Sequence, residues 1–433
     1  MPMFDQLVHK VAETLSQVKD HRKTKPEYSL KDCLMGGFAM FALKDPSLLA
    51  FVNNYPARKS NLKQVFKIEQ IPSENGLRNI IDPVQPLSLL PCFQTLINEV
   101  EAIGLLEQYR YLNNYFLLSL DGTGHFSSNC ISCPQCMVKE RKKDNGEISK
   151  EYYHQMLSAC IVHPHQKAVF PVFAEAITKQ DGATKNDCER NAAKRFLPHI
   201  RTLLPHQKLI ILLDALYADG PTIKHLQSHQ ADFITVIKEG YVLVQVERLK
   251  EKKEALSCYS WIEKRKKKNI VCSAKWVCDL TLNGSHPNLK VNYIEYKEYD
   301  QQTGKTIYTN KWISSLSVDE NNIEQFVKAA RCRWKIENET FNTLKNQGYH
   351  FEHNYGHGKK NLSTVLALLM LLAFFVDQIT AATDEVFSKA LTEANTLRDL
   401  REKVRVLFDL IPSTSMELIY KIIAREVALK PSQ

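Results

Sequence analysis

The chain has 433 residues, 44% of them hydrophobic and 24% charged, which excludes a disordered chain and leaves room for two or three folded domains. The net charge of +9 permits a polyanionic partner without proving one. The 11 cysteines are an odd number, and residues 1–15 lack the pattern of a secretory signal, so we expect reduced thiols in a cytoplasmic protein.

Residues 1–110 are predicted to form a helical N-terminal region. Two apolar helices within 28–54 are separated near Pro46, because proline ends the first of them. A short amphipathic helix follows at 72–82. With Arg78 exposed, this helix could enter a DNA groove, and the alternative is that it packs against its neighbours.

The pattern changes at the start of 111–239, which is predicted to be the first part of a mixed α/β core. Apolar strand candidates alternate with helices along this region. The strands are predicted at 115–126, 151–164, 167–177, 208–220 and 232–238, and the helices at 184–203 and 221–229. In the first of these segments, Asp121-Gly122 is predicted to close the strand as a turn.

Residues 240–316 are predicted to be a β-rich insertion, because short alternating runs recur there between turn signals. The runs lie at 241–246, 270–280, 290–300 and 306–316. The second part of the core follows at 317–380, and 381–433 are predicted to be a helical tail.

The most apolar stretch, 362–379, is nearly long enough to span a bilayer. Asp377 and Gln378 end it, and a single isolated span would be unusual in this context. We therefore favour a buried core helix over a membrane contact, and we expect no membrane partner.

Two aspartates share one setting. Asp121 and Asp214 each close an apolar strand, and α/β domains place their sites at that edge of the sheet. An aspartate at the end of a strand is also an ordinary turn residue, so each aspartate alone is weak evidence.

A third acid is predicted on a helix at 326–347. Read at helical period, one face of this helix carries a stripe of apolar residues, namely Ala330, Trp334, Phe341 and Leu344. Glu337 lies in the middle of that stripe, whereas Glu339 is rotated about 200° away and should face outward. A carboxylate on an apolar face needs a compensating cation or hydrogen bonds.

Three converging carboxylates repel one another unless divalent cations bind them. Oxygen ligands from Asp121, Asp214 and Glu337 suit Mg²⁺ or Mn²⁺. Two such ions would activate a water or sugar hydroxyl on one side of a phosphodiester and stabilise the leaving oxygen on the other.

On these residues the chain resembles the DDE transposases of bacterial insertion sequences, in the group with a β-rich insertion between the second aspartate and the glutamate. That group carries the signature Tyr-x2-Arg-x3-Glu-x6-Lys, to which Arg333 and Glu337 correspond. The segments DGTG at 121–124 and DALYADG at 214–220 are also similar. The resemblance extends over 28–379.

Two positions depart from the signature. Ala330 stands at the tyrosine position, and the lysine is Lys345, one residue late. On a continuous α-helix this places Lys345 about 80° from Glu337, rather than about −20°.

The resemblance implies an α/β fold with a ribonuclease-H-like core that the insertion interrupts. It implies that Asp121 bridges two Mg²⁺ or Mn²⁺ ions, with Asp214 and Glu337 each holding one. The reaction would be hydrolysis at a transposon end, followed by attack of the freed 3′-hydroxyl on another strand. Arg333 and Lys345 would contact the end DNA.

The implied partners are double-stranded DNA, as terminal inverted repeats and as target, and a second copy of the chain in a synaptic homodimer. The implied location is the bacterial cytoplasm, on the nucleoid. Two alternatives are a related metal-dependent nuclease without strand transfer and an inactive DNA-binding derivative. The intact acids argue against the inactive derivative.

Cys130, Cys133 and Cys136 form a C-x-x-C-x-x-C motif. A closed zinc site needs four ligands, and candidates for the fourth are His125, His154 and Cys160. The prediction is either a structural Zn²⁺ or a set of reduced structural cysteines.

A basic run lies in the insertion and could bind backbone phosphates, although it could equally be a solvated loop. It consists of Lys264, Arg265, Lys266, Lys267 and Lys268. Trp276 or Trp312 could stack on an extruded base, against the alternative of core residues. His353 and His357 could contact DNA from a surface loop.

Overall fold

The computed structural model of the chain describes residues 2–24, 26–182, 184–254, 256–265 and 268–428. The helices are α1 (Met3–Ser16), α2 (Leu30–Ala42), α3 (Leu48–Phe66), α4 (Glu74–Ile81), α5 (Leu90–Ala102), α6 (Lys185–Leu203), α7 (Gly220–Ser228), α8 (Tyr241–Glu251), α9 (Ile323–Arg331), α10 (Asn342–Asn346), α11 (Leu362–Thr383), α12 (Glu385–Ala394), α13 (Leu397–Leu410) and α14 (Met416–Ile423). A π-helical segment, Ile336–Phe341, directly precedes α10.

The strands are β1 (Arg110–Tyr111), β2 (Tyr115–Ser128), β3 (Met137–Lys142), β4 (Ile148–Val162), β5 (Phe170–Ile177), β6 (Leu209–Leu213), β7 (Ala231–Val236), β8 (Ser257–Arg265), β9 (Lys268–Asn283), β10 (His286–Asp300) and β11 (Thr306–Ser314). They form one mixed sheet in the order β3-β4-β2-β6-β7-β11-β10-β9-β8, with β1 paired to β2 and β5 paired to β4.

The sheet has a parallel centre between two antiparallel flanks. β4 pairs antiparallel with both β2 and β5, whereas β6 pairs parallel with both β2 and β7. Helical regions flank this sheet at both ends of the chain. The predicted α/β class with a ribonuclease-H-like core is thereby confirmed.

The insertion extends the core sheet, because β11 pairs antiparallel with β7 through Trp312 and Val236. One predicted strand is wrong: 241–246 lies in α8. The buried residues there are Val242 and Val246, four apart as on a helix, while Val244 is exposed. The structure also contains β8, which the sequence reading missed and which pairs with β9.

β2 continues through Asp121 and Gly122, so Asp121 lies within the strand and the predicted closing turn is wrong. The segment read as an Asp-Gly turn continues as a strand, because Asp121 and Gly122 pair with Ser158 and Leu157 of β4. The strand ends at Ser128. The aspartate still lies beyond the end of the neighbouring parallel strand β6, which stops at Leu213.

α11 is the central core helix. It packs against α2, β5, α1 and α5. α11 packs so closely on α2 that a Cβ added at Gly37 would lie 2.8 Å from the side-chain carbon Leu369 Cδ1. By length and composition this helix could cross a membrane, but 78% of its most apolar window is buried inside the protein. This burial agrees with the prediction that 362–379 is a buried core helix.

The helices at the two ends of the chain pack together around a buried arginine. Arg58 of α3 is fully buried and bonds Asp45 at 2.6 Å and Asp409 of α13 at 2.7 Å. Nearby, Asn61 Nδ2 donates to the Phe408 carbonyl at 2.7 Å. The C-terminal helices are therefore fixed to the N-terminal helical region.

Arg58→Met is expected to lower the free energy of unfolding by about 3–5 kcal/mol, because it leaves the buried Asp45 and the partly buried Asp409 without their cation. Urea unfolding followed by circular dichroism measures this loss. The matched control is Lys63→Met, which removes the exposed Lys63–Glu69 pair and should leave the unfolding midpoint unchanged. Equal effects of the two substitutions would contradict the account.

Candidate active site

Two acids lie at matching heights on neighbouring parallel strands. Ser119 of β2 pairs with Leu212 of β6, and Asp121 and Asp214 each follow two residues later. The turn holds Asp214 in place, since its Oδ1 accepts from the Leu216 amide at 2.8 Å. Its carbonyl oxygen accepts from Thr235 Oγ1 at 2.6 Å.

The third acid meets the first through an arginine. Arg333 Nη1 lies 3.0 Å from Glu337 Oε1 and 3.8 Å from Asp121 Oδ2. Burial and the negative charge of Glu337 raise the pKa of Asp121 to about 7, and the Arg333 charge partly opposes this rise. The structure therefore brings Asp121 and Glu337 together around one cation.

Tyr217 lies near the first and second aspartates. Its side chain is buried, which raises its pKa well above the ordinary value. The negative charges of Glu189, Asp214 and Asp121 act in the same direction. The buried Tyr217 hydroxyl group therefore keeps its proton beside acids from β2, from α6 and from the turn after β6.

The predicted continuous helix at 326–347 is wrong. α9 ends at Arg331, and a turn at Cys332 and Arg333 precedes the π-helical segment. Ser119 Oγ, which is buried on β2, donates to the Arg333 carbonyl at 2.7 Å. This bond satisfies a backbone group at the break and holds it against the strand that carries Asp121.

The π-helical segment accounts for the late lysine. A π turn contains one residue more than an α turn, and the amide of Asn342 accordingly donates to the Glu337 carbonyl, five residues back. The extra residue lies between Glu337 and Lys345. The predicted rotation of about 80° is therefore wrong, because it assumed an unbroken α-helix.

The break after α9 also removes one residue, Trp334, from the predicted buried face. Ala330, Phe341 and Leu344 are buried as expected, but Trp334 is 46% exposed. The break after α9 turns the Trp334 ring outward, and the Arg333 guanidinium lies 4.7 Å from the ring centroid. The arginine thus contacts an exposed aromatic ring as well as two acids.

Lys345 faces an open groove of about 500 Å³. Its Nζ lies 3.0 Å from Glu352 Oε1. Lys139 and Arg141 of β3 line the same groove, so three cations border it. This geometry places the predicted DNA contact Lys345 on a partly basic surface.

Two of the three described residues in the basic run of the insertion are paired with acids. Arg265 bonds both oxygens of Glu298 at 2.8 Å, and Lys268 lies 3.1 Å from Asp300. Lys264 is exposed. Lys266 and Lys267 lie outside the described residues. Phosphate binding by this run stays a prediction, and two of its members already have structural partners.

Three other predicted DNA contacts lie in packed surroundings. Trp276 and Trp312 are 5% and 1% exposed, so the core interpretation is correct for both. Arg78 of α4 donates to the Tyr355 carbonyl at 3.1 Å, which favours packing for that helix.

A fourth acid, which the sequence reading missed, lies next to Asp121. Glu189 of α6 accepts a hydrogen bond from Tyr217 Oη at 3.0 Å. A Cβ added at Gly122 would lie 2.9 Å from Glu189 Oε2. Glu189 shares the buried face of α6 with Ala192 and Phe196, so a carboxylate on an apolar helix face was a signal available in the sequence.

A second cluster contains sulfur and nitrogen ligands. Cys133, Cys136, His154 and His357 place their ligand atoms within 4.8 Å of one another, as a group that could hold a metal ion. Cys130, predicted as a ligand, is exposed and lies outside this group.

Cys160 and His125, the other residues predicted as a fourth ligand, lie outside this cluster. Cys160 instead contacts Thr340. The surface-loop reading of His357 is also wrong, since this residue is 3% exposed; His353 is exposed.

Acids on adjacent parallel strands and on a following helix define a ribonuclease-H-like protein with a carboxylate site. The family model described as "Transposase DDE domain" matches residues 136–375, more than half of the chain. The chain belongs to this transposase family. The matched region contains Asp214 and Glu337 and begins after Asp121. A search of curated protein sequences returned no match.

The raised pKa of Asp121 predicts a pH-dependent effect of its removal. The native protein keeps a proton that the unfolded chain, with a pKa near 3.8, has lost. This group's contribution to stability is full below about pH 4 and disappears as pH rises through about 7. Without divalent ions, Asp121→Asn should raise the midpoint of thermal unfolding more at about pH 8 than at about pH 5.

The control is Asp144→Asn at an exposed position, which should change the midpoint equally at the two pH values. An Asp121→Asn effect that does not depend on pH would contradict the burial argument.

Gly122→Ala is expected to reduce activity by about tenfold or more, because its Cβ would displace the Glu189 carboxylate next to Asp121. DNA cleavage rates measure this loss. Gly284→Ala is the matched control, since nothing lies within 4 Å of a Cβ added there. Full activity of Gly122→Ala would show that the close approach has no functional role.

Proposed function

We propose that this chain is a DNA transposase that cuts phosphodiester bonds at transposon ends and joins the freed 3′-hydroxyl to target DNA with two divalent ions. The observation that carries the proposal is the meeting of Asp121 and Glu337 around Arg333, with Asp214 on the adjacent strand. Membership of the transposase family supports it.

The residues present fit Mg²⁺ or Mn²⁺. The candidate ligands are carboxylate oxygens, which both ions prefer. Asp121 and Glu337 lie close enough to require a positive charge, and Arg333 supplies one. In the proposed site, Asp121 would bridge the two ions, and Asp214 and Glu337 would each hold one.

Bound ions would activate the attacking water or hydroxyl and stabilise the leaving oxygen. The protein itself positions the ligands: the β2–β6 register sets Asp121 beside Asp214, and Ser119 holds the helix break that presents Glu337. The partly buried setting strengthens each electrostatic contact.

Arg333 is proposed to exchange partners during the reaction. When Asp121 and Glu337 hold metal ions, the Arg333 guanidinium would no longer be needed as their counter-charge and would bind a phosphate of the end DNA. The Arg333 guanidinium already contacts the exposed Trp334 ring. This contact would hold the arginine side chain near solvent after it leaves the acids. The arginine would thus hold the acids in the metal-free chain and the DNA in the loaded one.

The proposed DNA path follows the groove beside Lys345. Lys139 and Arg141 line it from β3, and phosphate contacts there would weaken steeply as salt rises. Lys264 is a further proposed contact at the far end of the sheet. The partners would be terminal inverted repeats of a bacterial insertion sequence and target DNA, bound by a homodimer in the cytoplasm.

Asp121→Asn, Asp214→Asn and Glu337→Gln should each lower DNA cleavage by more than about a hundredfold, because each removes a proposed metal ligand. The assay uses a DNA duplex carrying the element's terminal repeat, with Mg²⁺ or Mn²⁺. Glu339→Gln is the matched control on the same helix and should keep activity.

A joined product with a target plasmid would distinguish transposition from plain nuclease activity. Cleavage without joining would leave a metal-dependent nuclease as the function. An inactive Glu339→Gln beside an active Glu337→Gln would overturn the assignment of the third acid.

A further inference from the structure

Four potential metal ligands converge from three separate parts of the chain. Cys133 and Cys136 lie in the connection before β3, and His154 lies on β4. His357 comes from the loop that follows α10. Three of the four are buried, and Cys133 is partly buried.

We propose that Cys133, Cys136, His154 and His357 bind one structural Zn²⁺. Tetrahedral zinc with bonds of about 2.3 Å to sulfur and about 2.05 Å to nitrogen requires S···S and S···N distances of about 3.8 and 3.6 Å. The two sulfurs are 3.5 Å apart, and His154 Nε2 lies 3.5 and 3.6 Å from them. His357 Nδ1 is 2.9 Å from Cys136 Sγ.

The donor set selects zinc over the ions proposed for the carboxylate site. Two sulfurs and two imidazoles suit Zn²⁺, whereas Mg²⁺ and Mn²⁺ prefer oxygen. Four protein ligands leave no coordination position for water, which is the pattern of a structural site. The Cys133 amide also donates to Cys136 Sγ at 3.3 Å, as a supporting contact to a metal-bound sulfur would.

The site would anchor the loop after the candidate catalytic helix to the sheet. The Phe126 and Ser127 amides of β2 donate to the carbonyls of Phe351 and Glu352 at 3.2 Å each. Glu352 in turn pairs with Lys345. A zinc ion at His357 would fix this loop, and with it one wall of the Lys345 groove, independently of the carboxylate site.

A disulfide between Cys133 and Cys136 is the competing chemistry for the same pair. It would require the sulfurs to approach from 3.5 Å to about 2.05 Å and would leave the two buried histidines without a metal. The four-ligand arrangement favours zinc, because the histidines contact the sulfurs directly.

The test is the metal content of the full-length chain, purified under reducing conditions and measured by inductively coupled plasma mass spectrometry. Wild type should carry one zinc per chain. Cys136→Ser and His357→Asn should each lower zinc retention at least about tenfold under dialysis against a chelator. Cys130→Ser, which changes the neighbouring cysteine outside the cluster, should keep full zinc content.

Cobalt substitution tests the ligand set without any variant. Co²⁺-loaded wild type should show the visible absorption of a tetrahedral ion and a thiolate charge-transfer band. Asp121→Asn should retain zinc although its DNA cleavage is lost, so failure of the zinc site and failure of the proposed function are distinguishable. A metal-free wild type, a Cys133–Cys136 disulfide under reducing conditions, or loss of zinc in Cys130→Ser would each overturn the proposal.

Discussion

The arrangement of the candidate active site depends on one constraint. The neighbouring carboxylates of Asp121 and Glu337 are partly buried and need a positive charge between them. Asp121 and Glu337 come from a strand and a helix far apart in sequence, and Arg333 lies between them. An unpaired charge there would be costly, so the sheet and the helix must hold all three groups in one arrangement. The Ser119 bond to the Arg333 carbonyl supplies the fixed point between strand and helix.

The insertion supports this arrangement through the last turn of α9. Glu298 of β10 is buried and bonds Arg265 of β8, and it also bonds Arg331 at the last turn of α9. Arg331 precedes Arg333 by two residues. The ion pairs thus connect the inserted strands to the helix break, and part of the basic run holds the insertion together instead of facing solvent.

Strands and helices whose buried apolar residues recur at a regular spacing were predictable from sequence. Asp214 ends the buried strand β6, and Glu337 interrupts an apolar stripe, so both acids were found without the structure. Glu189 satisfies the same criterion on α6 and could have been found by it. The α8 error arose because β-branched residues there favoured a strand, while burial of Val242 and Val246 follows a helix.

Other features depend on contacts that no local pattern encodes. The π-helical segment packs against β2 and β4, and its buried Thr340 contacts Cys160. For this reason, a regular α-helix assumed from the sequence placed Lys345 away from the helix face of Glu337. His357 joins Cys133, Cys136 and His154 only after the sheet and the loop have come together, whereas Cys130 fits the local motif and lies outside the cluster.

The most direct test of the account is the number of Mn²⁺ ions bound by the chain on its end DNA, counted by electron paramagnetic resonance of the free ion. The account predicts two bound ions for wild type and one each for Asp214→Asn and Glu337→Gln. Asp121→Asn should bind neither, because this residue would bridge both. Wild-type binding by Asp121→Asn would contradict the account.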